Sequence, residues 1–295
     1  MELELKIDEI QAADLTDEIF RNNYFIPQKP LLIKGLSRLY PAGRKWSLDY
    51  FRELAGEEEV ELFDNRVEGH KMTTMISPDL KMKLGDFLNL ISKDEYTPLR
   101  MFVFNFFKLR PQLKNDFPCP SFMSGYLDEM GYFFMGGKNT EVRIHYDVDC
   151  SNVLLTQFYG RKEVVLIAPE YTELLYRLPF TTQTNLDVNH PDYTKYPGLK
   201  HVKGYKFIQE AGDAVFMPAR WWHYMTYLEG GIAVSYRKFN RNPLRNLQGF
   251  ASLGIAVPFD KMMTALFKGA WSNLKKNMAI RRANRTMQSM HIQAN

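Results

Sequence analysis

Cysteine is nearly absent: 295 residues hold only Cys119 and Cys150. Two thiols are too few to staple a secreted domain, and neither falls in the Cys-x-x-Cys spacing of zinc or thiol-redox sites. A reducing, cytoplasmic location is therefore expected. The N-terminus, MELELKIDEI, lacks the basic start and apolar core of a signal peptide. No stretch approaches the roughly 20 apolar residues that a membrane span needs. Internal repeats and low-complexity tracts are missing as well.

What is present fits a single catalytic domain. At 45% hydrophobic the chain can bury a full core, and its 14% of aromatic residues suits strands and a pocket better than a helical bundle. The net charge of +4 is unevenly spread. Residues 241–295 hold nine Lys/Arg against one acid, Asp260, for +8, which leaves −4 on residues 1–240. The tail is a separate electrostatic unit.

Three regions follow from local patterning. Residues 1–130 read as an α+β part that extends a sheet. KPLLIKG (29–35), VELFDN (60–65) and LRMFVFNFF (99–107) are strand-like; Ser47 caps a helix over LDYFRELAG, and LGDFLNLIS (84–92) has helical spacing. Residues 131–240 change to short β runs separated by turns, the pattern of a mainly β sandwich or barrel, here a jelly roll. Within them, 170–204 reads as a loop insertion over one mouth of the barrel. Residues 241–295 turn helical, with Pro258 at a first helical position. From Phe259 to Met278 apolar residues then recur every three or four positions.

The chemical signal begins with His145-Tyr146-Asp147. On a strand, positions i and i+2 share a face, which sets an imidazole beside a carboxylate. An isolated His-x-Asp arises by chance about 0.3 times in a chain with six histidines, so the pair alone decides little. A second segment, GDAVFMPARWWHYM (212–225), carries more: Gly212-Asp213 turns, DAVFM forms a strand, Pro218 ends it and His223 follows. Two imidazoles and a carboxylate on one face suit Fe(II), with the opposite face open for O2 and substrate. His190 and His201, in or near the long loop, lack a carboxylate at ligand spacing; His70 and His291 are expected in solvent, and Trp221 and Trp222 in the core or pocket wall.

A dicarboxylate cosubstrate needs a cation. Lys162 follows a hairpin-like turn, Tyr159-Gly160-Arg161, and opens the next strand, where it can point inward. Arg237 is its rival, since Ser235 and Arg237 share a strand face and together form a hydroxyl-plus-guanidinium clamp.

HYDVDCSN, QFYGRKEVVLIAP, NHPDYTKYPGL, GDAVFMPARWWHY and GGIAVSY, in that order, resemble the JmjC/cupin-8 family of Fe(II)- and 2-oxoglutarate-dependent oxygenases. Within it the likeness is to the asparaginyl hydroxylase acting on hypoxia-inducible factor, and KPLLIKGLSRLYPAGRKWSLDYFRELAG extends it upstream. The resemblance covers about residues 25 to 240 and implies a double-stranded β-helix. It implies Fe(II) on His145, Asp147 and His223, Lys162 on the distal carboxylate of 2-oxoglutarate, and Asn152 near the cosubstrate. The chain departs in three places. The segment from His145 to Lys162 is about two residues longer than usual, Val142 stands where the family often has threonine, and Arg237 stands where the relative has asparagine. By analogy the C-terminal helices form a homodimer.

The expected function is therefore hydroxylation of a substrate, a protein side chain by preference and RNA or a small molecule otherwise, coupled to conversion of 2-oxoglutarate and O2 to succinate and CO2. The competing reading is a non-catalytic metal-binding cupin, a sensor or a structural dimer. The basic tail has a rival reading as well, as a surface for nucleic acid or an acidic membrane.

Overall fold

The computed structural model describes residues 1–67, 74, 76–93, 95–125, 127 and 130–293, with the side chains of 268 and 291–293 left out. Among the described residues fourteen strands are formed. They are β1 (Glu2–Leu5), β2 (Glu9–Gln11), β3 (Leu31–Lys34), β4 (Glu59–Asp64), β5 (Leu80–Lys83), β6 (Leu99–Phe104) and β7 (Tyr132–Gly136). They continue as β8 (Glu141–His145), β9 (Asn152–Tyr159), β10 (Lys162–Ile167), β11 (Lys203–Gln209), β12 (Ala214–Met217), β13 (Trp222–Tyr227) and β14 (Gly231–Lys238).

They make two sheets. One has the order β1-β11-β10-β13-β8, the other β2-β3-β12-β9-β14-β7-β6-β4-β5. This is the mainly β, jelly-roll-like fold expected, with helices after it. Strands of the first 130 residues pair directly with barrel strands, as β3 does with β12 and β6 with β7, so they continue the sheet by hydrogen bonds. Alternation on each strand sorts the side chains. Val153, Leu155, Val164, Leu166, Val215, Met225 and Ala233 pack in one cluster between the sheets. Their neighbours Val234 and Tyr236 face outward, into a Phe-rich layer under the helices Leu48–Ala55 and Leu84–Ile91. Each large side chain so buried contributes ~1.5–3 kcal/mol.

Several local expectations hold. Ser47 caps its helix by accepting from the Tyr50 amide at 3.1 Å. The turn at Gly212 takes φ +103°, and Asp213 behind it accepts from the Gly35 amide and pairs with Lys34, tying the turn to β3. Others change. LRMFVFNFF is strand only to Phe104, because Asn105 caps a helical turn, Phe106–Leu109. The turn after Tyr159 is not a hairpin: β9 and β10 belong to different sheets, so the chain crosses the barrel there. Gly160 is required at φ +69°, where a Cβ would lie 2.0 Å from the Gly230 carbonyl oxygen.

The insertion 170–204 does more than cover a mouth. Leu174, Leu175, Tyr176 and Leu199 pack with Ile144, Val165 and Trp222 on the outer face of the smaller sheet, together with Ala279 and Ala283 of the last helix. Its residues 182 and 183 run beside the first metal-ligand candidate: Tyr146 N donates to Thr182 O at 3.1 Å, and His145 bridges Gln183.

Pro258 does not begin the C-terminal helix. Helix starts at Pro243, capped by Asn242, and passes through a π turn, Ser252–Ala256, into Val257–Gln293. Widening of that turn accommodates a proline that lacks an N–H and crowds the carbonyl four residues back. Asp260 and Lys275 lie 2.7 Å apart and both are buried. Fifteen residues of straight helix rise about 22 Å, beyond the reach of these side chains, so the helix doubles back between them. By length and composition the run Pro243–Phe267 also meets the requirement for a membrane span, although no span was expected from the sequence.

Candidate metal centre

His145 closes β8, and its cross-strand partner on β13 is His223. The register slips between them and the next pair, Met225 with Val142, so three steps on β8 match two on β13. This bulge turns both Val142 and His145 toward the barrel interior, which plain alternation forbids for residues three apart. Asp147 reaches the same point differently from the sequence reading. It lies past the strand end, in a turn closed by Cys150 N donating to Asp147 O, with Cys150 at φ +53°. The imidazole centroids are 4.2 Å apart, His145 Nε2 lies 3.7 Å from Asp147 Oδ1, and one ligand atom from each of the three falls within 4.8 Å of the others.

Hydrogen bonds decide which nitrogens are free. Nδ1 of His145 lies 2.7 Å from Arg143 O, and Nδ1 of His223 lies 3.1 Å from Trp221 O. A carbonyl only accepts, so Nδ1 carries the proton in each ring and Nε2 keeps its lone pair. Burial and the neighbouring His145 pull His223 down to about 4, so it is neutral at physiological pH. Burial pushes the Asp147 carboxyl up. Arg237, 3.0 Å from Oδ2, offsets this together with the two imidazoles and holds the group below the usual carboxylate range. The donor set fits a divalent first-row metal of the Fe(II) kind, with Oδ1 toward the imidazoles and Oδ2 anchored from behind.

The other expected residues divide. Arg237 Nη1 also bonds both oxygens of Asp149 at 3.0 Å and Ser151 Oγ at 3.1 Å, so this edge of its guanidinium is taken up by Asp147, Asp149 and Ser151. Ser235 Oγ is buried and has no hydrogen-bond partner among the described residues. Asn152 shares the outward face of Leu154. It accepts from Gln28 Nε2 and Ala219 N and donates to Lys238 O, all protein groups. Lys162 faces inward beside Val164 and is 1% exposed. Its ammonium lies 4.3 Å from the Tyr227 ring centroid and meets no carboxylate among the described residues. Burial draws it down to about 7.

Trp222 is fully buried and donates to Thr172, and Trp221 donates to Gln28 O, so both are walls as expected. His190 is exposed beside Asp187, and His201 ends a surface turn, so neither joins the triad. His70 and the side chain of His291 lie outside the described residues. Two surface clefts of about 340 Å³, beside Arg52 and Lys83 and between Tyr176 and Asn277, contain none of the triad. The centre is identified by its donors rather than by the size of an opening.

A family profile described as a cupin-like domain matches residues 16–239. The chain belongs to that family. Its relatives include the human tRNA wybutosine-synthesizing protein 5, 29% identical over 74% of this chain and 73% of that protein. Lysine-specific demethylase 8 of Xenopus tropicalis is 28% identical over 74% of this chain, which spans half of the longer protein. The Drosophila melanogaster Jumonji C domain-containing protein 5 is 27% identical over 78% of this chain and 59% of its own length. These matches carry the JmjC-type cupin assignment; they do not carry the narrower likeness to an asparaginyl hydroxylase. For a cupin-like chain the triad on β8, its following turn and β13 is coherent with family-level oxygenase chemistry. Arg100 and Tyr227, which no sequence motif marks, line the same interior. Their only signal was a charge and a phenol inside strand-like runs.

Removing the carboxylate tests the centre directly. Wild-type protein is expected to bind one Fe(II) or Co(II) in equilibrium dialysis, and Asp147→Ala to bind it more than about 100-fold more weakly. Equal affinity in the two proteins would dismiss the site.

Proposed function

We propose that this cupin-like protein is an Fe(II)- and 2-oxoglutarate-dependent oxygenase. The observation that carries the reading is the convergence of two imidazole Nε2 atoms and one carboxylate in a barrel whose interior also holds a lysine that meets no carboxylate among the described residues. Bound Fe(II), with 2-oxoglutarate and O2, supplies the oxidising chemistry, giving hydroxylated substrate, succinate and CO2. His145, Asp147 and His223 hold the metal. Backbone carbonyls fix both rings, and Arg237 fixes the carboxylate while balancing its charge. Lys162 takes the distal carboxylate of the cosubstrate, because Arg237 is already paired with Asp147 and Asp149. Val142, Val164, Leu166 and Met225 keep water from the space between.

For the substrate, RNA is favoured over the protein side chain first expected. The relative named for tRNA wybutosine synthesis matches along about three quarters of both chains, and the last 55 residues carry +8. Purified iron-loaded protein with 2-oxoglutarate in air is expected to release succinate, faster with bulk tRNA than after nuclease digestion. Stimulation by a nuclease-treated protein extract instead would move the substrate to protein. No succinate above an Asp147→Ala control would favour the non-catalytic cupin.

The titration of Lys162 gives an independent readout. An empty-pocket lysine with a pKa of about 7 is mostly neutral at pH 8, and a carboxylate seated beside it restores its preference for the charged form. Binding of 2-oxoglutarate to metal-loaded, oxygen-free protein at pH 8 should take up close to one proton (roughly 0.9, by the one-site titration curve). Affinity should fall as pH rises above 7. Calorimetry in two buffers of different ionisation enthalpy reads the count, and a 2-oxoglutarate affinity and proton uptake that Lys162→Met leaves unchanged would exclude Lys162 from this role.

The exposed apolar face of the C-terminal helices supports a homodimer. Leu244 is 72% exposed, Leu247 62%, Ile255 70% and Leu266 66%, all within one helical region. Light scattering should give twice the 34.6 kDa chain mass, and Leu247→Glu with Leu266→Glu should give the monomer. A wild-type monomer at micromolar concentration, or recruitment to lipid vesicles through this face, would argue against the dimer.

A further inference from the structure

Arg100, like Lys162, is a cation of the barrel interior that meets no carboxylate among the described residues. It lies on β6 opposite Gly136 of β7, which in turn lies opposite Gly231 of β14. These glycines leave room for what faces them. A Cβ at either position would stand 3.0 Å from the Tyr227 ring, which descends onto this row from the other sheet. Directly opposed residues of an antiparallel pair project to the same side, so Arg100 projects toward Tyr227 as Gly136 does. Tyr227 is also the cross-strand partner of Lys162, whose ammonium rests on its ring. One layer of the barrel thus sets Arg100 and Lys162 around a single phenol.

The guanidinium is held in place. Its carbon lies 4.5 Å from the Phe102 ring centroid, and Nε donates to Asn65 Oδ1 at 3.0 Å. Asn65 is docked on β8 at Val142: its amide donates to Glu141 O at 2.6 Å, and Arg143 donates to Asn65 O at 2.8 Å. Arg100 as a whole is only partly buried, yet enough protein surrounds its guanidinium that burial draws its pKa down to about 10. Among the described residues no acid pairs with it, and its two terminal nitrogens meet no acceptor. A buried cation of this kind is costly unless a ligand supplies the anion.

We propose that Arg100 and Lys162 together form a two-cation pocket for the distal carboxylate of the cosubstrate, Arg100 supplying the donors that Val142, lacking a hydroxyl, does not. The assignment rests on the oxygenase reading above and adds a planar, fork-shaped donor to the point charge of the lysine. It makes the pocket demanding of a carboxylate and intolerant of a neutral end.

The test compares 2-oxoglutarate with 2-oxobutanoate, which keeps the keto acid and lacks the distal carboxylate. Each is titrated by calorimetry into Mn(II)-loaded protein without oxygen, and thermal unfolding of the ligand-free protein checks the fold. Arg100→Met is expected to weaken 2-oxoglutarate roughly 10- to 100-fold and to leave 2-oxobutanoate unchanged. Should Arg100→Met unfold, Arg100→Lys carries the same comparison, with a loss of about 3- to 10-fold for the missing fork. Equal loss for both keto acids, or loss for neither, overturns the role of Arg100. If Lys162→Met meanwhile abolishes the preference for 2-oxoglutarate, the oxygenase reading survives that outcome. A wild-type protein without the preference overturns both.

Discussion

Two imidazoles face each other across one antiparallel pair, and the arrangement of the site depends on keeping them there. His145 and His223 are cross-strand partners, so the hydrogen-bond register of β8 on β13 sets the spacing of two ligands at once. A slip of one residue would turn one of them outward and separate the pair. The bulge before His145 and the carbonyls that accept from each Nδ1 fix the rings in the orientation that leaves Nε2 free. Asp147 is then brought in by a turn that Arg237, Asp149 and Ser151 brace from behind.

Charge inside the barrel is unevenly balanced, and the imbalance sorts roles. Arg237 has two carboxylates and supports the metal ligand. Lys162 and Arg100 have none among the described residues, and both are drawn below their ordinary pKa by burial. A barrel that holds two such cations without anions is arranged for an anionic guest. The apolar residues between this layer and the triad, Val164, Met225 and Ala233 among them, strengthen any charge pair formed there by excluding water.

The additions outside the barrel bear on the same site. The helix Pro243–Ala251 lies against the loop that carries Asp147, so closely that a Cβ on Gly249 would stand 2.1 Å from the Asp149 carbonyl oxygen. The insertion lays Thr182 and Gln183 beside His145 and Tyr146, and the last helix closes over the insertion through Ala279 and Ala283. The exposed apolar face of the C-terminal helices is thereby connected by packing to the loop that carries Asp147.

The amino-acid sequence by itself determined the fold class and singled out three candidate ligands that the fold brings together. Short β runs between turns, His145-x-Asp147 and the turn-strand segment ending in His223 are local patterns, and local patterns survive in one dimension. It left Lys162 and Arg237 as equal candidates, because both are basic residues on strands. Only tertiary structure separates them: Arg237 meets two aspartates and Lys162 meets none, a difference of partners up to 90 residues apart in the chain. It also replaced the strand alternation assumed for Asp147 by a turn and turned Asn152 toward Gln28 and Lys238. The doubling back of the last helix is equally invisible locally, since a continuous helical pattern says nothing of Asp260 and Lys275 meeting. Arg100 was unreadable for the same reason. Its role comes from facing Tyr227 across two glycines, and which residues face one another across a barrel is fixed by register and packing, not by neighbours in sequence.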